Sequence, residues 1–356
     1  MALPSRRGIA ARLDLLRSTG PLHAWRRFRR DRALEPLVPE RRRRIVTALW
    51  ADAARELQAT VTELAPGRLE IRRGQAVAMV KGQTLTLNAQ SSIARAWDKP
   101  RVYELLADAA LPIPEWLAFE AGDVRAAQRF LARGPVPCVV KPTRGSGGDG
   151  VTAEIRGPRQ LRRAALSAAR FCRRLLIERQ AEGDVFRILV LDGAVIDVLR
   201  RLRPHVTGDG RSTVEELMFA EYDRRIRADG DAGLKPFAAD LDCLFSLERA
   251  GLSLRSVPAR DETVPVKTVT SFNRAEENHS LGTAVSPELG AEAVAATAAL
   301  GLRLAGVDVV ARTPLGGGIV DVNAIPALHH HALVADPAAA TRVAVPVLSA
   351  LLGSRG

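Results

Sequence analysis

Hydrophobic and polar positions divide the chain into stretches of different period. Residues 1–45 are largely polar with helical spacing, a break at Gly20–Pro21 and a start that reads as partly disordered. Over 41–58, Ile45, Leu49, Ala53 and Leu57 recur every four residues, which predicts a helix burying those four on one face. Residues 61–89 then alternate in short runs cut at Pro66–Gly67, Gly74 and Gly82, the pattern of a small β-meander.

The texture changes at Trp97. A helix begins near Asp98, carries Leu105, Leu106 and Ala109 on one side and stops before Pro112 and Pro114. Residues 122–134 predict a second helix, 136–142 a buried strand, 143–152 a glycine loop, 158–172 a helix and 174–180 a strand. Residues 184–202 read as a β-hairpin turning at Asp192–Gly193, a strong turn pair. Helices follow at 212–230 and 287–305, then strands at 306–312 and 317–326, with valines 320 and 322 facing the core, and a closing helix. Interleaved helices and strands place the chain in the α/β (α+β) class with mixed sheets. Four units are expected: an Arg-rich helical segment (1–45), a small α/β domain (46–95), a part carrying the glycine loop (96–180) and a C-terminal lobe (181–353).

Composition narrows the function classes. At 356 residues, 47% apolar and 26% charged, the chain has the make-up of a globular protein. No apolar run reaches the roughly 18–20 residues of a membrane span, and the start lacks the apolar core of a signal peptide. Cys138, Cys172 and Cys243 are scattered without metal-ligand spacing, so a reducing cytoplasm is expected. The net charge of +12 concentrates in Arg26–Arg30 and Arg41–Arg44. No nucleic-acid-binding motif accompanies these blocks, and a solvated basic helix face is the simpler reading than an RNA site.

Three constellations carry candidate chemistry. After an apolar strand, Lys141 precedes a loop holding Gly145, Ser146, Gly147, Gly148 and Gly150. A lysine supplies a point charge for phosphate, and glycines let backbone N–H groups approach an anion; a flexible hairpin tip would read the same way. Glu178 and Asp184 flank a strand and an acid-rich hinge that suits adenine and ribose, or a solvated turn. Asp321 and Asn323 are two apart on a strand and share a face, with Asp308 on a neighbouring strand. Three hard oxygen donors suit Mg2+. The run His329–His331 reads as an exposed turn rather than a proton shuttle.

In order, Asp98-Lys99, Val140-Lys141-Pro142, the GSGGDGV loop, Ile177-Glu178, Arg187, GDGRSTVEEL and GVDVV…VDVNAIP resemble the ATP-grasp superfamily over about residues 91–352. The likeness is closest to the ATP-grasp module of cyanophycin synthetase-like carboxylate–amine ligases. It implies two lobes around an ATP cleft. Lys99 and Lys141 would neutralise phosphates under the glycine loop, Glu178 and Asp184 would meet the nucleoside, and Asp308, Asp321 and Asn323 would hold Mg2+. Arg201 and Arg187 would stabilise the transferring phosphoryl group. Asp321 stands where the family usually has Glu, and Asn273–Thr283 replaces its paired-glycine substrate loop. Without the family enzyme's flanking domains, a polymerase of its product is not expected.

The resemblance implies amide or peptide-bond formation through an acylphosphate, with ADP and phosphate released and a small carboxylate and amine (amino acid or peptide) as substrates. A homodimer is compatible with it. A phosphotransferase, or a nucleotide-binding protein with a basic partner surface, are the alternatives.

Overall fold

The computed structural model describes residues 6–227, 239–272 and 275–353; the first residues, the expected helical end at 228–230 and residues 273–274 of the substituted substrate loop lie outside them. Helices α1 (Arg6–Thr19) and α2 (Pro21–Leu34) meet at Gly20, whose φ of +87° needs glycine, and Pro21 occupies the first helical turn. Next come α3 (Leu37–Glu56) and the antiparallel meander β1 (Thr60–Ala65), β2 (Arg68–Arg73) and β3 (Ala76–Lys81). The buried face of α3 is Val46, Trp50, Ala53 and Ala54 rather than the expected Ile45, Leu49, Ala53 and Leu57. Trp50 joins Leu69, Ile71 and Val80 in the core, and seating this large side chain rotates the helix by about one residue.

Two arginines of the basic blocks are consumed by packing, while Arg29, Arg42 and Arg44 stay exposed. Arg30 grips the carboxylate of Asp223 with two 2.7 Å hydrogen bonds, and His23 lies 2.6 Å from Glu215. Arg41 is buried and donates to the carbonyl of Arg225. The expectation of a solvated basic helix face therefore fails at Arg30 and Arg41.

Helices α4 (Gln90–Ala96) and α5 (Lys99–Asp108) lead to β4 (Trp116–Glu120), α6 (Arg125–Arg133), β5 (Cys138–Pro142), β6 (Thr152–Ile155), α7 (Pro158–Ala168) and β7 (Arg174–Arg179). The four strands form a sheet ordered β4-β7-β5-β6. Cys138 and Val140 pack beneath it with α6 and α7, whereas Val139 and Lys141, one residue out of phase, face the opposite side.

The second lobe begins with β8 (Asp184–Leu191) and β9 (Ala194–Arg201), joined at Asp192 (φ +48°) and Gly193 (φ +80°) as the turn pair predicts. Then follow β10 (His205–Thr207), α8 (Val214–Arg227), α9 (Leu241–Arg249), β11 (Thr263–Pro265), β12 (Asn278–Ser280), α10 (Pro287–Ala299), β13 (Leu304–Thr313), β14 (Gly316–Asn323), α11 (His329–Ala332) and α12 (Ala344–Gly353). Its main sheet is ordered β12-β9-β8-β13-β14, and β10 pairs with β11. Every pairing among the described residues is antiparallel, which corrects the expectation of mixed sheets. Helix α10 covers one face of the five-stranded sheet; α3, the meander and α12 cover part of the other. Buried Asn88 clips the small domain to this sheet, bonding the carbonyls of Leu304 and Ala324 at 2.7 and 2.8 Å.

Candidate active site

Between the bare faces of the two larger sheets lies a cleft of about 430 Å³. Twelve of the fourteen sequence-predicted site residues line it. Gly150 and Asp184 do not. Gly150 (φ +75°) shapes the loop from behind, where a Cβ would stand 2.7 Å from Phe171. Asp184 instead accepts two hydrogen bonds from Arg200, at 2.8 and 2.6 Å.

On the four-stranded sheet, Glu178 is the cross-strand partner of Val139, so Lys141 is its diagonal neighbour on the same face. Lys141 Nζ lies 2.7 Å from Glu178 Oε2 and donates to the carbonyl of Val320 at 3.1 Å. It also donates at 2.9 Å to the Tyr103 hydroxyl, which donates in turn to Glu178 at 2.6 Å. Burial first, then the Glu178 charge, pushes the Tyr103 phenol well above its usual pKa, so it stays a donor. Sequence patterning missed Tyr103, which reads as one more apolar position of α5.

On the five-stranded sheet, Arg187 faces Asp308 on β13, and Asp308 faces Asp321 on β14. Successive strands thus place a cation and two carboxylates in one row. Arg187 holds Asp308 bidentately at 2.8 and 2.6 Å. Lys99, at the start of α5, reaches across to Asp321 at 2.6 Å. Burial opposes ionisation of Asp321, but Lys99 and Lys141 outweigh it and hold the carboxyl below its usual pKa. Asn323 donates to Asp308 at 3.1 Å.

A bulge opposite Asp308–Val309 inserts Val320 as an extra residue, breaking the alternation that would have sent it into the core. Val320 lines the cleft instead, and its carbonyl is freed to accept from Lys141.

Arg201 lies two residues beyond the strand neighbour of Arg187 and is buried; burial, then Arg187, pulls its pKa down to about 9. It donates to the carbonyl of Thr270 at 2.9 Å, on the segment opposite the glycine loop. Gly148 abuts Val269 there so closely that a Cβ would stand 2.5 Å away.

The histidine run is not an exposed turn. His329 and His331 are buried on α11, and His329 and His330 line the cleft. The segment GDGRSTVEEL lies away from the cleft lining and is a local structural device. Asp209 accepts from the backbone of Arg211 and Ser212 at 2.8 and 2.7 Å, and Thr213 with Glu216 forms a capping box on α8.

Among the described residues no cluster of three or more Asp, Glu, His or Cys side chains has metal-binding geometry. The candidate donor set is two carboxylates and one amide. That fits magnesium, which takes few protein oxygens alongside water and phosphate.

A glycine loop and Lys141 on one sheet, facing the acidic strands of another with Lys99 reaching across from α5, give the layout of the ATP-grasp fold. The comparisons agree. The chain is 32% identical to the cyanophycin synthetase of Nostoc sp. over 251 residues, 66% of this chain and 27% of that one. It is 31% identical to the Synechocystis sp. cyanophycin synthetase over 281 residues, 76% of this chain and 32% of that one. A bifunctional glutathione synthetase from Pasteurella multocida superposes with a TM-score of 0.52 at 22% identity, covering 82% of this chain and 42% of that one. No protein-family model matches. The chain therefore has the ATP-grasp fold and resembles cyanophycin synthetase in sequence, while spanning about a third or less of those relatives' length.

Proposed function

We propose that the chain is an ATP-dependent carboxylate–amine ligase that forms an amide through an acylphosphate and releases ADP and phosphate. The observation that carries this reading is the convergence of Lys99, Lys141, the glycine loop, Arg187, Asp308, Asp321 and Asn323 on one cleft. Support also comes from the sequence likeness to cyanophycin synthetases.

In the proposed reaction a substrate carboxylate oxygen attacks the γ-phosphorus of ATP, and the bond to the bridging oxygen breaks to leave ADP. The amine then attacks the acylphosphate carbon, loses a proton, and expels inorganic phosphate. Lys99 and Lys141 balance phosphate charge, and the Gly145–Gly148 segment covers it to exclude water. Glu178, fixed by Tyr103 and Lys141, sits at the nucleotide end; the neighbouring Gly183 backbone, rather than Asp184, borders the cleft there. Asp308, Asp321 and Asn323 would hold Mg2+, which supplies positive charge to the triphosphate. Arg187 and Arg201 are positioned to stabilise the transferring group.

ADP release from ATP, screened against pairs of amino acids and short peptides, tests this function. Release that requires both a carboxylate and an amine, and that Lys141→Ala removes, is expected. Phosphorylated product that accumulates without any amine would identify a phosphotransferase instead.

A further inference from the structure

Helices α1 and α2 reverse the arrangement of an ordinary surface helix. The contacts that hold them inward are largely polar. Arg163 of α7 donates to Asp14 at 2.9 Å and to the Ser18 hydroxyl at 2.6 Å. On α8, Glu215 meets His23, Asp223 accepts from Arg30, and the Tyr222 hydroxyl donates to Asp31. The outward faces are apolar. Ile9, Leu13 and Leu16 recur on α1 at i, i+4 and i+7, and Leu22, Trp25 and Phe28 on α2 at i, i+3 and i+6. These side chains are 36–61% exposed and make up six of the fourteen large apolar side chains exposed among the described residues. An amphipathic helix normally buries this side, and so dense a patch marks a surface that meets something.

The charge around the stripes identifies the partner. Arg29 and Arg32, four and seven residues beyond Trp25, continue the α2 stripe, and Arg29 stacks over the Trp25 ring at 5.0 Å. Arg12 and Arg17 flank the α1 stripe. All four arginines are exposed, and none has a carboxylate partner among the described residues. The one acid of each helix, Asp14 or Asp31, already bonds inward. The outward side is therefore apolar and cationic, with no balancing acid. A second copy of the chain would bring like-charged arginines together across a two-fold contact. Nucleic acid would leave the Ile and Leu side chains without an apolar partner. Trp, Phe and Leu interleaved with arginine suit a lipid headgroup layer, where rings reach the acyl boundary and guanidinium groups meet phosphates.

We propose that α1 and α2 dock this protein on an anionic membrane surface, with Leu22, Trp25 and Phe28 entering the interface and Arg29 and Arg32 held by lipid phosphates. The association is peripheral, since no described helix is long and apolar enough to cross a membrane.

The test uses the full chain and vesicles of phosphatidylcholine, alone or with about 30 mol% phosphatidylglycerol, at about 0.1 M salt. Co-sedimentation with the anionic vesicles and not with the neutral ones is expected, together with a blue shift of tryptophan emission that Trp25→Phe abolishes. Trp25→Ser/Phe28→Ser should lower the vesicle partition coefficient by about tenfold or more, and Arg29→Gln/Arg32→Gln by about tenfold. Both should keep the parent's urea midpoint, because all four side chains are exposed. Failure to sediment with anionic vesicles overturns the proposal. So does a partition coefficient that Trp25→Ser/Phe28→Ser leaves unchanged, which would reduce the binding to charge attraction alone. A dimer in sedimentation equilibrium that the same two substitutions dissolve would assign the stripes to a second copy and overturn it too.

Discussion

Lys141 and Glu178 form a buried ion pair, 2.7 Å between Nζ and Oε2, in the wall of the nucleotide cleft. Removing one partner strands the other in a low-dielectric site, a loss of about 3–5 kcal/mol. Lys141→Met should therefore destabilise the fold by roughly that amount in urea denaturation. Lys141→Met/Glu178→Gln, which discharges both, should recover more than half of it. Neither variant should release ADP. A single variant as stable as the parent would show that the pair is solvated and the geometry described above is wrong.

Asn323 orients Asp308 through a 3.1 Å hydrogen bond and also donates to the Gly306 carbonyl at 3.3 Å. Asn323→Ala should cost about 1 kcal/mol of stability. Its larger effect should fall on metal use. ADP release at limiting Mg2+ should drop at least tenfold and recover partly as Mg2+ is raised. An unchanged Mg2+ dependence would remove Asn323 from the donor set.

The glycines of the phosphate loop are not equivalent. Gly148 combines φ +76° with a Cβ position 2.5 Å from Val269, whereas Gly145 (φ +141°) has nothing within 4 Å. Both positions strain an L residue, but only the first also clashes. Gly148→Ala should raise the KM for ATP several-fold more than Gly145→Ala, and should also lower thermal stability more. Equal effects would mean that backbone strain alone governs the loop.

Most of the element order was legible, because apolar periodicity and turn chemistry are local properties. The Asp192–Gly193 hairpin, the Gly20–Pro21 break and the glycine loop fall where the sequence puts them. Sheet direction was not legible, since pairing is decided between residues far apart in the chain. Asp308 and Asp321 came together as their shared pattern implied, yet the Val320 bulge between them leaves no trace in an alternating run of Ile, Val, Asp and Val. Tyr103 was missed for the same reason: it looks like core until a distant strand arrives beside it. Asp184 stands in an acidic hinge, and a cross-strand arginine that patterning does not see takes its carboxylate.

The histidines of α11 supply a pH dependence. Burial, the largest cause, and then Arg42, His331, Arg201 and Arg187 lower the pKa of His329 from 6.5 to about 3. His330 is lowered well below 6.5 by burial, then by His329 and the arginines. His331 is lowered too, because burial outweighs its 2.5 Å contact with Asp197. Each imidazole is thus neutral in the fold and takes up a proton once unfolded below about pH 6.5. The unfolded state binds the extra protons, so stability is complete well above pH 6.5 and falls as the pH drops toward the folded pKa values. Each histidine contributes a slope of about 1.4 kcal/mol per pH unit in that window. Urea denaturation at pH 7.5, 6.5 and 5.5 stays above the range in which carboxylates titrate. His23 is lowered by burial as well, so a loss of about 1 kcal/mol between the first two and of several kcal/mol more by the third, about four histidines' worth, is expected. His329→Gln keeps a neutral amide beside Gln83, which now donates to His329 Nδ1 at 2.9 Å, and should shallow the slope by one histidine's share. A slope near zero, or of opposite sign, would show that these imidazoles are open to water and not part of the cleft wall.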